Sequence, residues 1–320
     1  MKRSLVFLIY ILISGCSDIP ENIAVEKINQ TNISARLISK SKNTSRPLVI
    51  VVPGSGGSYI PNKKLYGLVF SGYDVLSIAY FGESNLPQKI ELIPLEYLKE
   101  VVLWSKKKFP ERKIVLLGIS KGAEYSLAFA SNYDLIDGLI CYSPSSFILP
   151  NHIGVQKKES QKSSWSLHGN EVPFARLSPF NDPAGKIVYK NYITPIFNNA
   201  EQIKKSRIQV ENSMCHILLL SGEDDLVWPS YKMANLIKSE AEKNKQERIL
   251  THISYKDCGH QFVWFDQEVP QKRTEYQSMN LTGIKKHKFL YGGTQEGTIN
   301  AMINSRIQVL RFLEKLSSLQ

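Results

Sequence analysis

Short apolar runs alternate along this chain with longer stretches of helical spacing. Leu48–Val52, Asp74–Ile78, Ile114–Leu117, Leu139–Tyr142, Ile217–Leu220 and Ile249–Tyr255 each read as a strand. Between them, Asn62–Ser71, a segment opened by Pro94 and running through Phe109, Lys121–Ser131 and Ser230–Ala241 read as helices. In the second of these, Leu95, Leu98, Val102 and Trp104 share the helical period, and Lys106–Lys108 lie near the end that favours cations. Near the C-terminus, Ile299, Met302, Ile303, Ile307, Leu310 and Leu313 recur at helical spacing within Thr298–Leu316, which predicts a helix docked on the sheet. Strands alternating with helices predict an α/β protein, with a mainly parallel sheet covered on both faces.

Three stretches break this rhythm. Ala24–Ser45 reads as a strand pair, with alternation in Ile33–Ile38. From about 145 to 210, scattered Pro, Asn, Lys and aromatic residues predict an insertion over the strand ends, either a cap or a solvated excursion. At the start, Lys2 and Arg3 precede an apolar run, Leu5 to Ile13, too short to span a bilayer. It ends in Ile13-Ser14-Gly15-Cys16, which resembles a bacterial lipoprotein signal with Cys16 as the lipidated residue. The expected organisation is a signal over 1–16, a tether and strand pair over 17–45, and one catalytic domain over 46–320. A bacterial cell-envelope protein, held to a membrane through lipid on Cys16, is the expected location.

Composition changes this picture little. At 320 residues and 42% apolar content, the chain can bury a full core. The net charge of +11 is spread without a long basic block or aromatic–basic interleaving, which argues against nucleic-acid binding and leaves an anionic surface or ligand open. Cys141 and Cys215 lie in apolar runs and read as buried hydrophobes. Cys258 lies two residues before His260, and a disulfide is compatible with an exported chain but not required. No metal spacing occurs among the cysteines, and no metal or other cofactor is expected.

The chemistry centres on Ile114–Tyr125. An apolar strand enters Gly118-Ile119-Ser120-Lys121-Gly122 and a helix leaves it, the layout of a nucleophile elbow rather than an ordinary βα turn. Gly118 and Gly122 let strand and helix approach around a strained Ser120. The strand Leu48–Val52 runs into Pro53-Gly54-Ser55-Gly56-Gly57-Ser58, where N–H groups near Ser55 and Gly56, joined by that of Lys121, could form an oxyanion hole. The competing reading of this loop is a flexible turn. After Ile217–Leu220 comes Ser221-Gly222-Glu223-Asp224-Asp225, and the Gly-x-x-Asp spacing favours Asp225 over Asp224 as the acid that orients a base. Both acids could instead cap the following helix. His260 follows the last strand and a glycine. The order Ser120, Asp225, His260 is that of an α/β-hydrolase. His152 and His168 read as surface residues, and His216, His252 and His287 have no comparable setting.

On these residues the chain resembles the C-terminal catalytic domain of the acyl-CoA thioesterase / bile acid-CoA:amino acid N-acyltransferase family. The motif Gly118-Ile119-Ser120-Lys121-Gly122-Ala123-Glu124 is far more specific than Gly-x-Ser-x-Gly. Supporting stretches are Tyr80-Phe81-Gly82, Ile93-Pro94-Leu95-Glu96-Tyr97, Tyr142-Ser143-Pro144-Ser145, Trp228-Pro229-Ser230 and Gly292-Gly293. The resemblance implies an α/β-hydrolase fold, a catalytic trio of Ser120, Asp225 and His260, and a small-molecule acyl thioester substrate. Members that transfer the acyl group to amines resemble this chain but carry Cys at the nucleophile, so Ser120 favours hydrolysis by water. An immunoglobulin-like domain often precedes this domain in the family, and residues 17–47 are too few for one. A carboxylesterase or lipase of the same fold is the alternative, and a catalytically silent, membrane-anchored binding protein is the rival from a different class.

Overall fold

The computed structural model describes residues 20–30, 33–40, 44–150, 161–178, 185–244, 249–266, 268, 270–280 and 286–319. The signal segment with Cys16, and His152, lie outside the described residues.

Eight strands form the central sheet: β1 (Ile23–Gln30), β2 (Ile33–Lys40), β3 (Leu48–Val52), β4 (Val75–Ile78), β5 (Ile114–Ile119), β6 (Gly138–Tyr142), β7 (His216–Gly222) and β8 (Leu250–Tyr255). Their spatial order is β1-β2-β4-β3-β5-β6-β7-β8. The β1–β2 and β2–β4 pairs are antiparallel and all later pairs are parallel. Every residue of β3, β4, β5 and β6 is buried, which is why these strands read as unbroken apolar runs rather than alternating ones.

Helices cover both faces. Against one lie α1 (Leu95–Lys108), α2 (Lys121–Ala130) and α3 (Ser230–Lys243), through Leu98, Val102, Leu127, Ala234 and Ile237. Against the other lie the short helix Tyr66–Phe70 and α4 (Gln295–Ser318), through Leu68, Val69, Val309 and Leu313. The last helix begins at Gln295, three residues before the expected Thr298, because the Thr294 side chain caps it by accepting the Gly297 N–H at 3.0 Å.

A third apolar cluster sits over the carboxyl ends of the strands. Phe147, Leu149, Leu177, Tyr189 and Ile193 pack there with Trp228, Phe289 and Tyr291. The described part of the irregular stretch is therefore packed rather than solvated, although its pieces are short. Tyr276–Asn280 and Lys286–Leu290 are among the strands not expected from the sequence: they pair antiparallel, and the second also pairs with Lys186–Ile187. Their residues are mostly polar, and neither has the apolar run that marks the central strands.

Candidate active site

Ser120 directly follows β5 and precedes α2. It has φ 55° and ψ −118°, a conformation L-residues rarely adopt. The turn holds because its neighbours over-determine it. The Ser120 N–H donates to the Tyr142 carbonyl of β6 at 2.9 Å, and the Ser120 carbonyl accepts from Ala123 and Glu124 at 2.9 and 3.1 Å. A Cβ on Gly122 would collide with the Pro53 and Val52 carbonyls, so the crossing of α2 over the end of β3 requires glycine there.

Asp225 lies in the turn after β7 and is fully buried. One carboxylate oxygen accepts the Val227 and Trp228 N–H groups at 2.8 and 3.2 Å, and the other meets His260 Nδ1 at 2.8 Å. Asp225 thus orients the imidazole and ties down its own turn; it does not cap the following helix, whose N-cap position is Pro229 with no side-chain cap bond. Asp224 is exposed. His260, in the loop after β8, places Nε2 2.8 Å from Ser120 Oγ. The structure therefore brings together all three residues expected from the sequence.

Several residues that the sequence did not single out hold this trio. The His260 N–H donates to the Tyr291 carbonyl at 2.8 Å. Isolated bridges join Asp225 to Gly292 and Cys258 to Gly293, so one strand end clamps the acid loop and the base loop together. Gly292 has φ 77°, and a Cβ there would strike the Asp224 carbonyl. Ser143 is buried at φ 47°; its hydroxyl donates to the His260 carbonyl at 2.7 Å. Its own carbonyl accepts Trp228 Nε1–H at 3.1 Å, and the Trp228 ring stands edge-on to the imidazole at 5.0 Å. Gly292-Gly293 and the Tyr142–Ser145 stretch were visible only as motifs, with no signal of what they touch.

Ser120 and His260 open onto a cavity of about 530 Å³, and Ser55, Gly56 and Lys121 line it beside them. Its walls include Ile60, Leu65, Phe81, Ile90 and Phe265, and Lys64 and Lys89 also face it. In the Gly-rich loop, the N–H groups of Gly57 and Ser58 donate within the loop, to Gly54 and Gly56 at 3.0 and 2.8 Å. The Lys121 N–H, in the first turn of α2, has no intrahelical acceptor.

At the start of α2, Lys121 opposes the helix dipole, a small cost that its spacing to Glu124 at i+3 predicts is offset. The pairing is present, but it is buried: Nζ lies 2.8 Å from Glu124 Oε1, and Glu124 is 0% exposed. Burial pushes the Lys121 ammonium down and the Glu124 carboxyl up, while each partner's charge opposes its neighbour's shift. Cys141, Cys215 and Cys258 are buried and free. His168 is exposed beside Glu96, as a surface residue should be.

The sheet order and the serine at the strand-to-helix turn define an α/β-hydrolase. Solved structures agree on the fold. A puromycin-hydrolyzing peptidase of Mycobacterium tuberculosis superposes with a TM-score of 0.54 at 10% identity, over 93% of this chain and 40% of that one. An acylaminoacyl peptidase of Pyrococcus horikoshii gives 0.52 at 12% identity, over 93% and 42%. Within this class, residues 93–318 match the family described as BAAT / Acyl-CoA thioester hydrolase C terminal, and the chain belongs to that family. Among curated relatives, mouse acyl-coenzyme A thioesterase 2, mitochondrial, is 29% identical over 236 residues, covering 73% of this chain and 49% of the relative. Mouse peroxisomal succinyl-coenzyme A thioesterase is 26% identical over 277 residues, covering 84% and 60%. The chain thus spans about half the length of the first of these relatives and three fifths of the second.

Proposed function

We propose that this chain hydrolyses acyl thioesters through a covalent Ser120 acyl-enzyme. The observation that carries the reading is His260, set between Ser120 Oγ and Asp225 at 2.8 Å on each side at the wall of a largely apolar cavity. Ser120 Oγ attacks the acyl carbonyl while His260 Nε2 takes its proton. The N–H groups of Ser55 or Gly56 and of Lys121 bind the oxyanion, and losing one such donor typically costs about 3 kcal/mol. The C–S bond breaks, and the leaving thiolate takes the proton from His260. Water then attacks the ester, His260 accepts its proton and returns one to Ser120, and the carboxylic acid departs. Asp225 holds the imidazole in the required tautomer and stabilises its charged form.

The family supports a thioester, and serine rather than cysteine at the nucleophile supports water as acceptor. An oxygen ester would use the same steps, so a panel of acyl thioesters and matched oxygen esters decides between them. Fluorophosphonate labelling, with Ser120→Ala as control, tests the nucleophile itself; a wild-type protein that does not label sinks the reading. We propose also, from the sequence alone, that Cys16 carries lipid and holds the chain at the bacterial envelope membrane. Incorporation of a labelled palmitate analogue, abolished by Cys16→Ala, is the expected result. Among the described residues no helix is long and apolar enough to cross a membrane.

A further inference from the structure

Glu124 is the most heavily bonded buried charge near the site, yet it does not line the cavity. Its Oε1 accepts from Lys121 Nζ at 2.8 Å, from Trp165 Nε1–H at 2.8 Å and from the Leu149 N–H at 3.0 Å, and its Oε2 from Lys121 Nζ at 2.9 Å. These donors belong to three separate segments. Lys121 opens the helix after Ser120. Leu149 and its neighbour Pro150 form part of the cavity wall. Trp165, fully buried, stacks on Tyr125 at 4.5 Å and lies 5.9 Å from Tyr80, whose hydroxyl donates to the Gly54 carbonyl at 2.8 Å. One carboxylate is therefore linked to the elbow, the Leu149–Pro150 wall and, through two aromatic rings, the Gly-rich loop.

A buried ion pair is a poor way to gain stability, because desolvation offsets most of the attraction and apolar side chains of similar volume often do as well. What a carboxylate offers instead is direction: charge-assisted hydrogen bonds are short and hold their donors at set positions. We propose that Glu124 is a positioning residue for acyl transfer, holding the Leu149–Pro150 wall and the Gly54–Gly57 loop in register with Ser120. It thereby sets which acyl lengths the cavity accepts. This rests on the reading of Ser120 as nucleophile.

The test is the rate of Ser120 modification by fluorophosphonates of increasing alkyl length, scored per folded protein. Wild type should show a length preference. Glu124→Gln should lower the rates, by about 10²-fold if the reacting groups are misplaced by an ångström, and should flatten the preference. Trp165→Phe removes one donor and keeps an aromatic ring against Tyr125. It should move rate and preference in the same direction by less, and it decides the matter if Glu124→Gln does not fold. Glu96→Gln, in a carboxylate bonded to Tyr133 and the His168 N–H, is the control expected to match wild type. A variant that melts earlier but keeps the wild-type rates and length preference overturns the proposal, since that is all a structural role would produce. No labelling of wild type removes the reading of Ser120 and this proposal together; labelling with an unchanged preference in the variants removes this proposal alone.

Discussion

Among the described residues, two Ser–His chains look alike on paper. In one, Ser120 Oγ, His260 and Asp225 are joined at 2.8 and 2.8 Å. In the other, Ser221 Oγ lies 2.8 Å from His252 Nε2, and His252 Nδ1 lies 3.1 Å from Asn235 Oδ1. Everything around the bonds differs. Ser221 belongs to β7 and is fully buried; Ser120 sits at a strained turn and faces a cavity. The third group is a carboxylate in one chain and a neutral amide in the other, so only the first favours a charged imidazole. His252 is instead pushed down to about 4, mainly by burial and then by Lys238. A hydrogen-bonded relay makes a reactive serine only when substrate can reach it, oxyanion donors surround it and a charge waits behind the base.

The largest expected separation is between the two serines. Ser120→Ala should lower kcat on the preferred acyl ester by something on the order of 10⁶-fold, whereas Ser221→Ala should leave kcat within about the error of its measurement. Equal losses would dissolve the contrast. Next come the third groups. Asp225→Asn should lower kcat by about 10⁴-fold through the wrong tautomer, and Asn235→Ala should not lower it. Gly122→Ala strikes the elbow rather than the relay. Its Cβ meets the Pro53 and Val52 carbonyls, and chemical denaturation should show a loss of about 1–3 kcal/mol, as overpacking costs elsewhere.

Two smaller effects concern the silent chain. Ser221→Ala removes a half-buried hydrogen bond to His252 and should cost about 1 kcal/mol in the same denaturation assay. The last is a pH effect. The unfolded chain protonates His252 near 6.5, while the folded chain resists until about 4. In between, the unfolded state binds the extra proton, so this contribution is present above pH 6.5 and is lost as pH falls towards 4. His252→Gln should flatten stability across that window; an unchanged profile would show that His252 is not held neutral.

The parallel strands were legible because burial on both faces removes polar alternation, leaving runs such as Leu48–Val52 that need no tertiary context. Ser120 was legible for the same reason: a strand, a Gly-rich turn and a helix are all local. His260 and Asp225 followed from their order and their place after strands. The polar hairpin of Tyr276–Asn280 and Lys286–Leu290 was not visible, since its buried Phe289 finds its partners in the insertion. Glu124 looked like an ordinary i, i+3 partner of Lys121, because spacing carries no information about depth.

By itself the sequence determined the class of fold, the turn that carries Ser120 and the identity of its two partners, because short-range patterning and chain order encode those. Only the tertiary structure decided which of two Ser–His chains faces a cavity, and that a charge pair at the start of α2 would be sealed from water and bonded to Leu149 and Trp165. Both depend on segments that meet only when the insertion closes over the strand ends. Burial belongs to that assembly and not to any stretch of the chain.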